Sequence, residues 1–130
     1  MRRQAREVAL QILFQSEFAP QISISTFLEV YEGTINDESL KYANLLVEGT
    51  HQMKEKIDSL IQSHAQHWKI DRMATVDRNI LRIAVYEMKF AKEILKPHMA
   101  INEAVEIAKK FSTEDSSSFI NGVLDQVSKS

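Results

Sequence analysis

The sequence contains no cysteine. Disulfides, thiolate metal sites and a cysteine nucleophile are therefore excluded together. It has only three glycines and two prolines, too few to punctuate many strands, and long helices joined by short connections fit that count better. The glycines stand apart at Gly33, Gly49 and Gly122, so no glycine-rich loop is available to cradle a phosphate. No Gly-x-Ser-x-Gly elbow surrounds the serines at 116–118, which removes one route to nucleophilic catalysis. No apolar run approaches the roughly 20 residues needed to span a bilayer. No signal peptide is read at the N-terminus, because Ala5, Val8, Ala9 and Leu10 are interleaved with Arg6, Glu7 and Gln11. The expectation is a cytoplasmic protein with no membrane partner.

What is present suits one globular unit spanning residues 1–130. Hydrophobic residues make up 44% and charged residues 26% of the chain, both ordinary for a protein that buries one core. The net charge of −2 argues against nucleic acid only if charge is spread evenly, and it is not. Residues 1–16 carry three arginines against one glutamate, and residues 69–96 carry seven bases against four acids. Residues 17–68 carry three lysines against eight acids. Basic regions able to meet phosphate thus exist within an acidic chain.

Periodicity points to helices throughout. Ala5, Val8, Ala9, Ile12 and Leu13 follow the i, i+3, i+4 pattern of an amphipathic helix, expected to end near Phe18 because Pro20 disfavours helix in the residue before it. A short helix is expected over 24–32. Asp37 is expected to cap a long helix whose apolar stripe runs from Leu40 to Ile61 and fades near His64, interrupted by Gly49. Trp68 and Ile70 fall in the link that follows. From Thr75 the apolar residues Val76, Ile80, Leu81, Ile83, Ala84, Val85 and Met88 occupy more than one face, which predicts a central, buried helix. Lys96-Pro97 forces a break, Ile101 to Phe111 marks a further helix, and Phe119, Ile120, Val123, Leu124 and Val127 mark the last. The fold class is all-α: a single compact bundle of six or seven helices.

Few side chains carry recognisable chemistry. Arg2, Arg3 and Arg6 lie within one turn of each other at a helix N-terminus, where each cation opposes the macrodipole by a few tenths to about 1 kcal/mol. Such a cluster is either solubilising charge or a phosphate contact. His64 and His67 are spaced i, i+3, but no third ligand stands at a convincing distance, so no metal site is expected. Acid pairs such as Glu103/Glu106 fit polar helix faces, and no catalytic residue is assigned. Gly122 lies inside the last helix, where it costs about 1 kcal/mol and points to the close approach of another backbone or of a ligand. Phe119 is either core or an aromatic platform for single-stranded RNA.

Four blocks, in order, resemble the NusB family. They are Arg2-Arg3-Gln4-Ala5-Arg6-Glu7-Val8-Ala9-Leu10-Gln11; Val76-Asp77-Arg78-Asn79-Ile80-Leu81-Arg82-Ile83-Ala84-Val85-Tyr86-Glu87; Ala100-Ile101-Asn102-Glu103-Ala104-Val105-Glu106-Ile107-Ala108-Lys109; and Ser116-Ser117-Ser118-Phe119-Ile120-Asn121-Gly122-Val123-Leu124-Asp125. The resemblance implies two helical subdomains; with no catalytic constellation among the residues, neither enzymatic activity nor a cofactor is expected. It implies binding of boxA-type single-stranded RNA together with NusE, within an antitermination complex on RNA polymerase that favours read-through in ribosomal RNA operons. It also implies that Arg2, Arg3 and Arg6 contact RNA backbone, with Phe111, Asp115 and Phe119 on the same surface, where a carboxylate can accept hydrogen bonds from base edges. The NusE-facing surface would include Asp71, Asp77 and Arg78, and a homodimer is among the states the resemblance allows. The chain departs from the family pattern at Phe14, where tyrosine is frequent, and at Ser112, where a helix-terminating glycine is common and a tighter or strained turn is expected. His98 and Ser118 stand where relatives are often basic. Two other readings compete. One is a helical protein–protein adaptor whose basic end is incidental. The other is the RNA-binding region of a ribosomal RNA methyltransferase, for which the sequence holds no cofactor-binding glycine motif.

Overall fold

Seven α-helices and two short helical turns account for most of residues 2–20 and 23–130, the part of the chain that the computed structural model describes. The helices are α1 (Arg3–Phe18), α2 (Ile24–Val30), α3 (Asp37–Gln52), α4 (Lys54–His64), α5 (Thr75–Val85), α6 (Pro97–Phe111) and α7 (Glu114–Ser128). No strand occurs among the described residues, and none of the helices is long and apolar enough to cross a membrane.

Local chemistry sets most boundaries. α1 stops two residues before Pro20, as the proline requires. Ser23 caps α2 and Thr113 caps α7, each side-chain oxygen accepting a backbone N–H three residues on. Pro97 occupies the first turn of α6, where its missing N–H costs nothing. The expected cap at Asp37 moves by one residue: Asn36 accepts from the Ser39 N–H at 2.8 Å, and Asp37 is the first helical residue instead.

The long helix expected over 37–64 is two. The chain kinks at Met53 with neither proline nor glycine there, so the break follows tertiary packing. α3 lies on α1 and on the turn after α5, whereas α4 lies on α5 and α7. One straight rod cannot satisfy both faces. Gly49, four residues earlier, is fully packed: the Tyr86 ring fills the space a side chain would need.

α5 is the central element, touching α1, α3, α4, α6 and α7, and every residue from Asn79 to Met88 is buried. It ends in a π turn, Tyr86–Phe90, closed by the Ala91 N–H on the Tyr86 carbonyl at 2.8 Å. Glu87 is carried by this turn.

Candidate nucleic-acid interface

The three N-terminal arginines have different surroundings. Arg6 faces inward with its side chain 8% exposed. Its Nε and Nη2 donate to the Glu87 carboxylate at 2.9–3.1 Å, and its Nη1 donates to Glu103 at 3.1 Å. Glu87, 2% exposed, also accepts a hydrogen bond from the Tyr42 hydroxyl. Burial alone would depress Arg6, but the hydrogen bonds and charge of Glu87 outweigh it and hold the guanidinium above its ordinary pKa. Burial and the charge of Glu87 push the Tyr42 hydroxyl up to about 12. The donors of Arg6 are thus taken by protein carboxylates, and its task is to fix the first turn of α1.

Arg2 and Arg3 are exposed. Arg2 lies 4.0 Å over the centroid of the Tyr42 ring, a cation–π contact. Arg3 reaches across to Glu103 on α6. Together with Met99 and Asn102 they line a groove of about 510 Å³.

From there the surface continues along α1 and α6. Lys110 donates to Glu7 at 2.8 Å. Phe111, half-buried, shares a cleft of about 200 Å³ with Leu10, Phe14 and Val76. At the corner between α6 and α7, Asp77 is 8% exposed and accepts hydrogen bonds from Ser112 and Ser116, both at 2.7 Å. The turn at Ser112 is not strained, as its φ of −133° is ordinary for any residue and its hydroxyl supplies the anchor to Asp77. Beyond the corner, Asp115 is exposed and Phe119 is half-buried, its ring meeting Trp68 edge-on at 5.9 Å. Trp68, Arg72, Asp115 and Phe119 bound a cleft of about 300 Å³, a suitable size for a flat ring. Gly122 has nothing within 4 Å of the position a side chain would take. The close approach expected there does not occur among the described residues, and Gly122 shares the outward face of α7 with Asp115 and Phe119.

Asp71, Asp77 and Arg78 divide in a similar way. Asp71 is exposed. Asp77 is spent on the α6–α7 corner, and Arg78 is half-buried, donating to Glu17 and to the carbonyls of Asp71 and Met73. Glu17 also accepts from Asn79. Burial would raise its pKa, but those hydrogen bonds together with the charges of Arg78 and Arg82 hold it below its ordinary value. Beside this cluster the Phe14 and Phe18 rings meet at a tilt of 52° with centroids 5.2 Å apart while 36% and 69% exposed. Trp68 is the residue sequence reasoning passed over. Its signal was an aromatic between His67 and Lys69 in a polar link, the interleaving of ring and cation that nucleic acid favours.

The NusB family model matches residues 3–129. The chain belongs to the NusB family. A transcription antitermination protein NusB from Bdellovibrio bacteriovorus is 65% identical over 128 residues, covering 98% of this chain and 95% of that protein. A structure of Thermotoga maritima NusB superposes with a TM-score of 0.86 at 35% identity, over 99% of this chain and 91% of that one. A structure of the antitermination factors NusB and NusE in complex with dsRNA superposes with a TM-score of 0.81 at 33% identity, over 98% of this chain and 96% of the other. NusB proteins are transcription antitermination factors, not enzymes.

Proposed function

We propose that this chain binds boxA-type single-stranded RNA together with NusE, and that the pair joins an antitermination complex on RNA polymerase that sustains read-through in ribosomal RNA operons. The observation that carries the reading is the continuous surface from Arg2 and Arg3, past Lys110 and Phe111, to Asp115, Phe119 and Trp68. Cations at one end suit phosphate, and rings at the other suit unstacked bases. The similarity to a NusB seen with NusE and dsRNA supports NusE and an RNA as partners, and the exposed rings favour unpaired bases.

In this reading Arg2 and Arg3 meet the RNA backbone, and Arg6 holds them in position from beneath. Phe119 and Trp68 receive a base, Phe111 lines the path between, and Asp115 accepts a hydrogen bond from an exocyclic amine. The NusE surface takes in Asp71 directly, with Asp77 and Arg78 shaping the backbone around it, and the exposed Phe14–Phe18 pair adds apolar area beside those charges. The test is size-exclusion chromatography of the chain with purified NusE and boxA-type RNA. Co-elution of all three is expected. Elution of the RNA alone, from a mixture in which the chain is folded, would overturn the RNA reading.

A further inference from the structure

Three exposed cations of the α1–α6 face, Arg3, Lys109 and Lys110, are already matched by carboxylates of the same face, whereas Arg2 rests on the Tyr42 ring. Arg3 gives Nε and Nη2 to the two oxygens of Glu103 at 3.2 and 2.5 Å. Lys110 is paired with Glu7 at 2.8 Å, and Lys109 with Glu106 at 3.0 Å. The Arg3–Glu103 contact is the two-pronged arrangement that a guanidinium also makes with phosphate, so one fork cannot hold both. It sits where an incoming chain can reach it, with Arg3 46% and Glu103 21% exposed. Glu103 is further held by Arg6 from below, and hydrogen bonding from Arg3 first, then the two positive charges, keep its carboxyl below the ordinary range. It stays ionised at neutral pH and competes at full charge.

We propose that Glu103 is a built-in competitor for RNA phosphate, occupying the Arg3 fork and thereby setting the affinity of the arginine end, with Glu7 acting likewise on Lys110. The proposal rests on the RNA-binding reading above. Phosphate taking the Nε/Nη2 edge of Arg3 must first part a formed ion pair, and phosphate on any other edge lies beside the like charge of Glu103. A cation held by its carboxylate neutralises less phosphate and so releases fewer of the counterions condensed on the RNA, and the salt dependence of binding is shallower than the number of cations suggests.

The test is fluorescence anisotropy of a labelled boxA-type RNA, and of a polyuridine of equal length, across a salt series for wild type, Glu103→Gln and Glu7→Gln. Glutamine keeps an oxygen for Arg6 but removes the competing charge. The expected result is binding about two- to fivefold tighter at low salt, the size of an exposed ion pair, with a log–log salt slope steeper by about 0.7. Both RNAs should respond, since phosphate is what the carboxylate competes with. Unchanged or weaker binding by Glu103→Gln at a wild-type melting temperature overturns the proposal while leaving the RNA reading intact. If Glu103→Gln melts early, Glu7→Gln decides: wild-type affinity and slope there overturn it. Absence of salt-dependent RNA binding by wild type and both variants overturns the RNA reading and this proposal with it.

Discussion

The guanidinium of Arg6 and the carboxylate of Glu87, 81 residues apart in sequence, form a buried ion pair through three hydrogen bonds of 2.9–3.1 Å. It ties the first turn of α1 to the π turn that closes α5, and it stands beneath both exposed arginines. Buried pairs are expensive to break from one side, because the remaining charge has no partner and no water. Arg6→Ala or Glu87→Ala is therefore expected to cost about 3–5 kcal/mol, read as a lowered denaturation midpoint. Arg2→Ala and Arg3→Ala should leave that midpoint near wild type. Equal stability losses at Arg3 and Arg6 would contradict the division of labour.

Gly49 and Gly122 make a matched pair, since both lie within helices and only one is packed. Gly49→Ala drives a methyl into the Tyr86 ring, and the overpacking, about 1–3 kcal/mol, outweighs the gain in helix propensity. Gly122→Ala meets open space and should stabilise by about 0.5–1 kcal/mol. Thermal unfolding of the two variants checks the opposite signs. If Gly122→Ala also weakens RNA binding while raising stability, the outward face of α7 is where RNA backbone comes close.

Acid should lower the protein's stability over two pH ranges. The folded-state pKa of His51 lies below its ordinary 6.5, through burial first and then the charges of Lys54 and Arg82. The unfolded chain takes that proton more readily, so stability begins to fall as pH drops below about 6.5. Glu17 and Glu103 lie below their ordinary 4.5. Their contribution is present above about that pH and is lost as pH falls through their folded values. Melting temperatures recorded from about pH 8 to about pH 3 should show both losses, with His51→Gln flattening the upper one and Glu17→Gln the lower.

Phe119→Ala should weaken RNA binding by about 1–3 kcal/mol if a base stacks in the cleft, with a small change in melting temperature because the ring is half-exposed. Trp68 is the single tryptophan of the chain, so its fluorescence reports on that cleft without labelling. RNA should quench it in wild type and in Arg2→Ala at saturation. A large stability loss in Phe119→Ala with unchanged binding would assign the ring to the core.

Much of this was legible in the sequence. Helix period, Pro20 and Pro97 placed α1 and α6, and the apolar residues on several faces of 76–88 marked the central helix. What was not legible depends on residues far apart in the chain. Nothing local distinguishes Arg6 from Arg2 and Arg3, because its partners are Glu87 and Glu103. The kink at Met53 has no breaker residue, and the need for glycine at 49 comes from Tyr86. The π turn that carries Glu87 leaves no mark in the periodicity. The anchoring of Asp77 was not legible either, because the serines it holds, Ser112 and Ser116, lie beyond Phe111 in the link and the first turn of the next helix.

The most direct measurement is the affinity of boxA-type RNA across a salt series, for wild type and for Arg2→Ala/Arg3→Ala, with and without NusE. The expected result is wild-type binding that weakens linearly in log–log form with salt and tightens with NusE, and a double variant that binds more weakly with a flatter slope at unchanged stability. Salt-insensitive binding, or equal affinity in the double variant, would contradict a phosphate-reading arginine end and leave a protein–protein adaptor as the better description.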